Sequence, residues 1–268
     1  MPTLTPDVNS SEERWNPVNI SQTALPKDLI LRAAWGGRND SVDRQIDMLG
    51  ECMARLGRYG GFLADQWEGL LDGSWPVSRS REELCRYVQA VLEDPEDYNG
   101  YGLTQSRGYP DEDPPCTTMS ATLIGKRGGM RRAANDVVAV METGKNMADA
   151  MPLPVGWLLG LGRALVMDFV EIWQPDAVSL DSDELLDLRP MRGSSWPVIG
   201  YVSWLADDVW DETVPIPEAP LRERWAGGTL IGIDPCVPDP VGAASDLAER
   251  LYATGGLRMI PPVQHPVG

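Results

Sequence analysis

The sequence holds one histidine, two phenylalanines and four cysteines among 268 residues, and its basic side chains are outnumbered. Each shortage removes a class of protein. His265 is the fourth residue from the end, in a Pro/Val tail, so a Ser-His-Asp or Cys-His relay would have to recruit that tail. Cys52, Cys85, Cys116 and Cys236 form no C-x-x-C pair, and isolated thiols in a reduced compartment fit better than a disulfide framework or a zinc site. The longest apolar stretch, 153–173, is broken by Arg163, Asp168 and Glu171, which are expensive in hydrocarbon. The opening Met1-Pro2-Thr3-Leu4-Thr5-Pro6-Asp7 has neither a positive n-region nor an apolar h-region, so no cleaved secretion signal is expected. These features lead us to expect a soluble, cytoplasmic protein. With 23 Lys and Arg against 40 Asp and Glu, the net charge of −17 repels nucleic acid and anionic membranes and favours a cationic partner.

Phosphate-binding and nucleophile motifs are missing too. Gly193-Ser194-Ser195-Trp196-Pro197 places proline where a nucleophile elbow needs glycine. Thr143-Gly144-Lys145 is followed by Asn146, and Ala139 stands where a P-loop has its first glycine. Gly160-Leu161-Gly162 lacks the third glycine of a dinucleotide fingerprint. We therefore assign no catalytic residue, no cofactor and no metal from the sequence.

What is present is a chain with 43% hydrophobic residues, enough for a sizeable core. Residues 1–26, rich in Pro, Ser, Asn and Thr, read as a flexible arm, 27–257 as one domain, and 258–268 as a tail. Asp28 to Trp35 reads as a first strand. Val42, Ile46, Leu49, Met53 and Leu56 then trace one face of a helix ended by Gly60-Gly61. Phe62 to Trp67 reads as a short strand. Ser80-x-x-Glu83 is a capping box opening a helix with Leu84, Tyr87, Val88, Val91 and Leu92 on its apolar face. The 93–116 segment, with seven acids to Asp113 against Arg107 alone, reads as a long acidic surface loop.

Thr117 to Ile124 and Asn135 to Glu142 are expected strands, and Leu153 to Trp173 a buried helix. A strand at Ala177 to Leu180, a helical turn capped by Ser182, and strands at Pro197 to Leu205 and Thr229 to Ile233 follow. The last helix has Asp239 as N-cap and Pro240 at its first position, and ends at Gly255-Gly256. The expected architecture is a single α+β (mixed α/β) domain with a central, mostly antiparallel sheet flanked by about four helices.

Two anomalies bear on function. Asp207, Asp208, Asp211 and Glu212 surround Trp210, and on a helix Asp207 and Asp211 would share one face. This cluster reads as a hard-cation site, an acid/base pair or an acidic binding surface, beside the bland reading of a solvated loop. Oxygen-only magnesium sites recruit substrate phosphate, which the charge opposes, and no lysine lies within ten residues. Ten tryptophans against two phenylalanines is the second anomaly. Most belong in a core, while Trp210 and Trp225, near acidic clusters, are candidate interface anchors.

Four segments occur in a recognisable order: Trp35-Gly36-Gly37-Arg38-Asn39-Asp40-Ser41, Ile172-Trp173-Gln174-Pro175-Asp176, Gly200-Tyr201-Val202-Ser203-Trp204-Leu205 and Gly227-Gly228-Thr229-Leu230-Ile231. Together, across about residues 28–257, the chain resembles the immunity protein 52 family of bacterial polymorphic toxin systems. The resemblance implies a non-enzymatic antitoxin whose partner is a cognate toxin domain with a restriction-endonuclease-like nuclease fold. It carries over no catalytic residues. Trp35, Arg38, Trp173, Pro175, Asp176, Gly200, Tyr201 and Ser203 match the family pattern, and their types suggest structural roles. Asn39-Asp40 departs from the Pro-Glu of that pattern, and the 93–116 loop and the 213–220 proline-rich segment are additions to it.

The charge agrees with this resemblance, since an acidic protein is steered to the basic cleft of a nuclease. The expected toxin-binding residues are Asp207, Asp208, Trp210, Asp211 and Glu212, with Asp111, Glu112 and Asp113 of the acidic loop. The rival expectations are a carboxylate-based, metal-dependent enzyme and a non-catalytic interaction subunit of a secretion or phage system.

Overall fold

The computed structural model describes residues 28–36, 38, 40–59, 67–70, 74–77, 80–93, 101–106, 116–121, 135–142, 159–188 and 196–262. Its strands are β1 (Asp28–Trp35), β2 (Trp67–Leu70), β3 (Ser74–Val77), β4 (Tyr101–Ser106), β5 (Cys116–Ala121), β6 (Asn135–Glu142), β7 (Ala177–Asp181), β8 (Val202–Ala206), β9 (Leu221–Trp225) and β10 (Gly228–Gly232). Its α-helices, among the described residues, are α1 (Val42–Arg58), α2 (Arg81–Glu93), α3 (Gly162–Trp173), α4 (Asp183–Leu188) and α5 (Pro240–Ala253). The strands form one ten-stranded sheet in the order β3-β2-β4-β5-β6-β1-β7-β8-β10-β9. Every pairing is antiparallel, with β1 at the junction between β6 and β7. This is the α+β architecture expected from the sequence.

Local chemistry sets the element boundaries. Ser41 caps α1 by accepting from the Arg44 N–H, and Ser80 Oγ accepts from the Glu83 N–H at 3.3 Å as the capping box requires. Asp239 caps α5 through the Gly242 N–H at 2.9 Å, with Pro240 in the first turn, and Ser182 Oγ receives the Leu185 N–H at 3.2 Å to start α4. Because strand side chains alternate, Leu29, Leu31, Ala33 and Trp35 share one face of β1. Gly162 opens α3 on that face, where an added Cβ would lie 2.9 Å from Leu180 and 3.2 Å from Val202. Leu165, Val166, Phe169 and Val170 of α3 join Ile46, Leu49, Met53 and Leu56 of α1 in the same core.

Helices α1 and α3 are fastened along their polar edges. Arg55 reaches Glu51 at 2.8 Å, Asp168 at 2.9 Å and Glu171, while the Tyr59 hydroxyl donates to Asp168 at 2.7 Å. Beneath them, burial pushes the Cys52 thiol up to about 12, so it stays protonated and inert. The opposite face of β7, β8 and β10 is buried as fully, at Ser179, Asp181, Ser203, Leu205 and Ile231.

Of the expected strand Phe62 to Trp67, residues 62–66 lie outside the described residues, and Trp67 opens β2, which pairs with β3, a strand the sequence did not announce. Two expectations are corrected. The 93–116 segment is not loop throughout, because β4 lies inside it. The proline-rich stretch is followed by β9, whose residues alternate between half-buried and exposed. An alternation of Leu221, Glu223 and Trp225 with Arg222 and Arg224 mixes charge into both faces, so the apolar period that marks a strand is lost.

The β9–β10 hairpin turns through Ala226 and Gly227, at φ 50° and 73°, the two left-handed positions of a type I′ turn. Alanine is a poor occupant there, whereas asparagine is favoured. Ala226→Asn is expected to stabilise the fold by about 0.5–1 kcal/mol, read as a higher urea midpoint at unchanged slope.

Candidate functional site

Helix α3 ends on Gln174, a non-glycine C-cap at φ 45° and ψ 53° whose N–H donates to Val170 O at 2.9 Å. The last carbonyls, of Trp173 and Gln174, both accept hydrogen bonds from the guanidinium of Arg38. The same guanidinium lies 5.0 Å from the centroid of Trp35, and Trp35 stacks on Trp173 at 5.6 Å with 22° between the rings. A planar cation therefore closes the negative end of a helix while lying over Trp35, whose stack on Trp173 packs that helix to the sheet. Arg38 Nε donates to Asp40 at 2.8 Å, and Arg44 binds Asp40 at 3.1 Å and the Gln174 side chain at 2.9 Å. Only 5% of the Asp40 side chain is exposed, and two guanidinium groups compensate its charge.

Two residues on, Asp176 ties three strand ends together. Its Oδ2 accepts from the Gly36 N–H at 2.7 Å, its N–H donates to Ala34 O at 3.0 Å, and its carbonyl accepts from Ala206 at 3.0 Å. Burial raises the Asp176 carboxyl above the ordinary carboxylate range, opposed by the Gly36 N–H and by Arg38 and reinforced by the charge of Asp208. Pro175 between them is buried. Gly36 is required by space. An added Cβ would stand 1.4 Å from the Pro261 carbonyl oxygen, because the segment after α5 crosses the chain here.

The expected toxin-binding acids lie at this same end of the sheet, following β8. They are not on an α-helix. Asp207–Val209 is a single 3-10 turn and Trp210 is extended, so Asp207 and Asp211 do not stack one helical turn apart. Asp207 forms a bidentate pair with Arg224, and Asp211 pairs with Arg258 at 3.0 Å. Trp210 belongs to the core: it is 6% exposed and donates its indole N–H to Val214 O at 2.9 Å. Asp208 and Glu212 are exposed and have no cationic partner among the described residues. The segment 256–261 runs alongside, with Asp211 N to Gly256 O at 2.7 Å, Arg258 N to Val209 O at 2.9 Å, and Leu257 bridging Trp210. Met259, which follows Arg258, is 58% exposed.

Gly200, Tyr201 and Ser203 are not brought to this end. Tyr201 N donates to Leu180 O at 2.7 Å, towards the far end of β7 from Asp176. There the Tyr201 hydroxyl shares a 2.7 Å hydrogen bond with Ser182, and burial raises its pKa. Ser203 Oγ accepts from the Gly200 N–H at 2.8 Å, and Ser179 donates to the buried Asp181 at 2.9 Å. These groups build a buried polar layer at that end of the sheet.

Asp111, Glu112, Asp113 and His265 lie outside the described residues. Among the described residues no group of three or more His, Cys, Asp or Glu side chains is placed to hold a metal ion. No helix there is long and apolar enough to cross a membrane. Sequence reasoning missed Met259, Arg224 and Arg258. An exposed Met in a presumed tail carries no period, and the arginines stand 17 and 47 positions from the acids they neutralise.

No family model and no curated protein matches the sequence. Among solved structures the chain is similar to one described as Pseudomonas aeruginosa T6SS protein PA0821, at 12% identity, 89% coverage of this chain, 76% coverage of that chain and a TM-score of 0.44.

Arg38→Ala is expected to destabilise the protein by about 1.5–3 kcal/mol, with Arg38→Lys recovering only part, because an ammonium cannot bond both carbonyls in one plane. Chemical denaturation of the three proteins measures this. The Asp211 carboxyl is held down at about 2, first by Thr213 and then by Arg258. Its contribution is therefore complete above its ordinary value of 3.8 and lost as pH falls through about 2. Amide exchange at Asp211 and Arg258 is expected to accelerate selectively across that window.

Proposed function

We propose that the protein is an immunity protein that binds and neutralises a cognate nuclease-type toxin in the cytoplasm, acting by occlusion rather than by catalysis. The observation that carries this reading is a convergence. Trp35, Arg38, Trp173, Pro175 and Asp176, far apart in sequence and matching the family pattern, form one rigid support, and the uncompensated carboxylates of Asp208 and Glu212 stand beside it. Met259 follows the residue whose N–H meets Val209, so an exposed apolar side chain flanks the acidic turn.

The physics of such a surface suits a basic partner. A net charge of −17 steers a cationic cleft towards it, raising association rates roughly 10- to 1,000-fold at low salt. Residence then depends on an apolar contact shielded by a polar rim, for which Met259 is the available anchor in place of the buried Trp210. Asp207 and Asp211 contribute less, because binding a cation there competes with Arg224 and Arg258.

The decisive experiment is co-expression with the toxin domain encoded beside the gene. Cells are expected to survive and the two chains to co-elute on gel filtration; death at the rate of toxin alone with no complex would remove the proposal. Asp208→Lys combined with Glu212→Lys is expected to weaken binding about 10- to 100-fold, mainly through a slower association, with an unchanged circular dichroism spectrum. Asp207→Lys is expected to do less, and an equal loss from both would move the interface towards β9.

A further inference from the structure

Among the described residues the sheet ends at β9, and that edge has a composition unlike the rest of this acidic chain. Thr229 lies opposite Arg224, and Ile231 opposite Arg222, across the two-residue turn. In such a hairpin the pair closing the turn, Trp225 with Gly228, exchanges hydrogen bonds, and alternate pairs do so after it. The inward-bonding residues of β9 are thus Leu221, Glu223 and Trp225. The other register agrees: Ile233 N donates to Tyr201 O and Asp207 N to Gly227 O, so the odd-numbered residues of β10 bond to β8. Arg222 and Arg224 therefore turn their backbone N–H and C=O groups away from the sheet.

The side chains define what fits. Arg222 and Arg224 are exposed on one face. Arg224 is shared with Asp207 and the Thr229 hydroxyl, whereas Arg222 has no ion-pair partner among the described residues. On the other face Arg163 holds Glu223 at 2.7 Å, and beside them opens a cleft of about 370 Å³ lined by Leu159, Val202, Leu221, Ile233 and Pro235. A second copy is the wrong occupant. Edge-to-edge pairing about a twofold axis centred on Glu223 would oppose that carboxylate to itself and Arg222 to Arg224, and moving the axis to residue 222 or 224 would oppose that arginine to its own copy.

We propose that β9 is a docking edge for an extended segment of a partner protein that alternates acidic and apolar residues. The segment adds an eleventh strand. Its backbone bonds to the outward groups of Arg222 and Arg224, its carboxylates face the two guanidinium groups, and an apolar side chain opposite Leu221 enters the cleft. This edge adjoins the acidic turn through the Arg224–Asp207 pair but does not rest on the toxin reading: a toxin seated on Asp208 and Glu212 leaves the β9 amides exchanging freely.

The probe is an alternating valine–glutamate heptapeptide, compared with its valine–lysine counterpart, read by fluorescence anisotropy and by amide exchange at Arg222 and Arg224. The acidic peptide is expected to bind about tenfold tighter than the basic one and to slow exchange at both amides. Arg222→Pro removes only an outward N–H, so the protein is expected to keep its circular dichroism spectrum and lose binding. Arg222→Glu is expected to reverse the preference between peptides. Unslowed exchange in saturating peptide, undiminished binding by Arg222→Pro, or a free protein that is already a dimer with both amides protected would each overturn the proposal.

Discussion

The structure depends on one guanidinium. Arg38 stands where the negative end of α3 meets the aromatic pair Trp35 and Trp173, and it serves both at once by bonding two terminal carbonyls while lying over the Trp35 ring. Few other side chains do both, since the task needs a permanent charge, several coplanar donors and a flat apolar surface. The consequences spread through the neighbouring backbone. With α3 ended in this way, Gln174 turns left-handed and Asp176 emerges aimed at the Gly36 N–H, which fixes the end of β1 against the starts of β7 and of the acidic turn.

That arrangement explains why residues of unremarkable type recur in order along the chain. Glycine is needed at position 36 because the Pro261 carbonyl occupies the space of a side chain. Gly228 is similarly confined, its missing Cβ falling 2.4 Å from the Leu205 carbonyl oxygen and 2.5 Å from the Trp204 ring. Read singly, a Trp-Gly turn or a Gly-Gly-Thr strand means little. In three dimensions they are the contact points of a support that holds the acidic turn and the 256–261 segment in one place.

Most of the fold was legible because its signals are local. Ser80, Ser182 and Asp239 cap the helices they were expected to cap, and the apolar period of α1 survives in its buried face. Strand β6 spans the expected Asn135–Glu142. What escaped was non-local. β3 and β9 are edge or near-edge strands without an apolar period, and β4 lies in a segment whose acids suggested only loop. In the candidate site, the carboxylate positions were visible but their state was not, because Arg224 and Arg258 reach Asp207 and Asp211 only through the hairpin and the chain end. Trp210 shows the converse error: adjacent charges suggested a surface anchor, while the chain geometry turns its ring into the core.

The acidic excess has thereby become a local property. Part of it is consumed in structure, at Asp40, Asp168 and Asp176, and part is neutralised at the surface; among the described residues Asp208 and Glu212 remain uncompensated beside that support and an exposed methionine. Hydrogen–deuterium exchange of the protein alone and with the toxin domain proposed as its partner tests this account most directly. Protection concentrated in 206–212 and 256–260, with little change around β2 and β3, is the predicted result. A complex that leaves those two segments exchanging as in the free protein would contradict it.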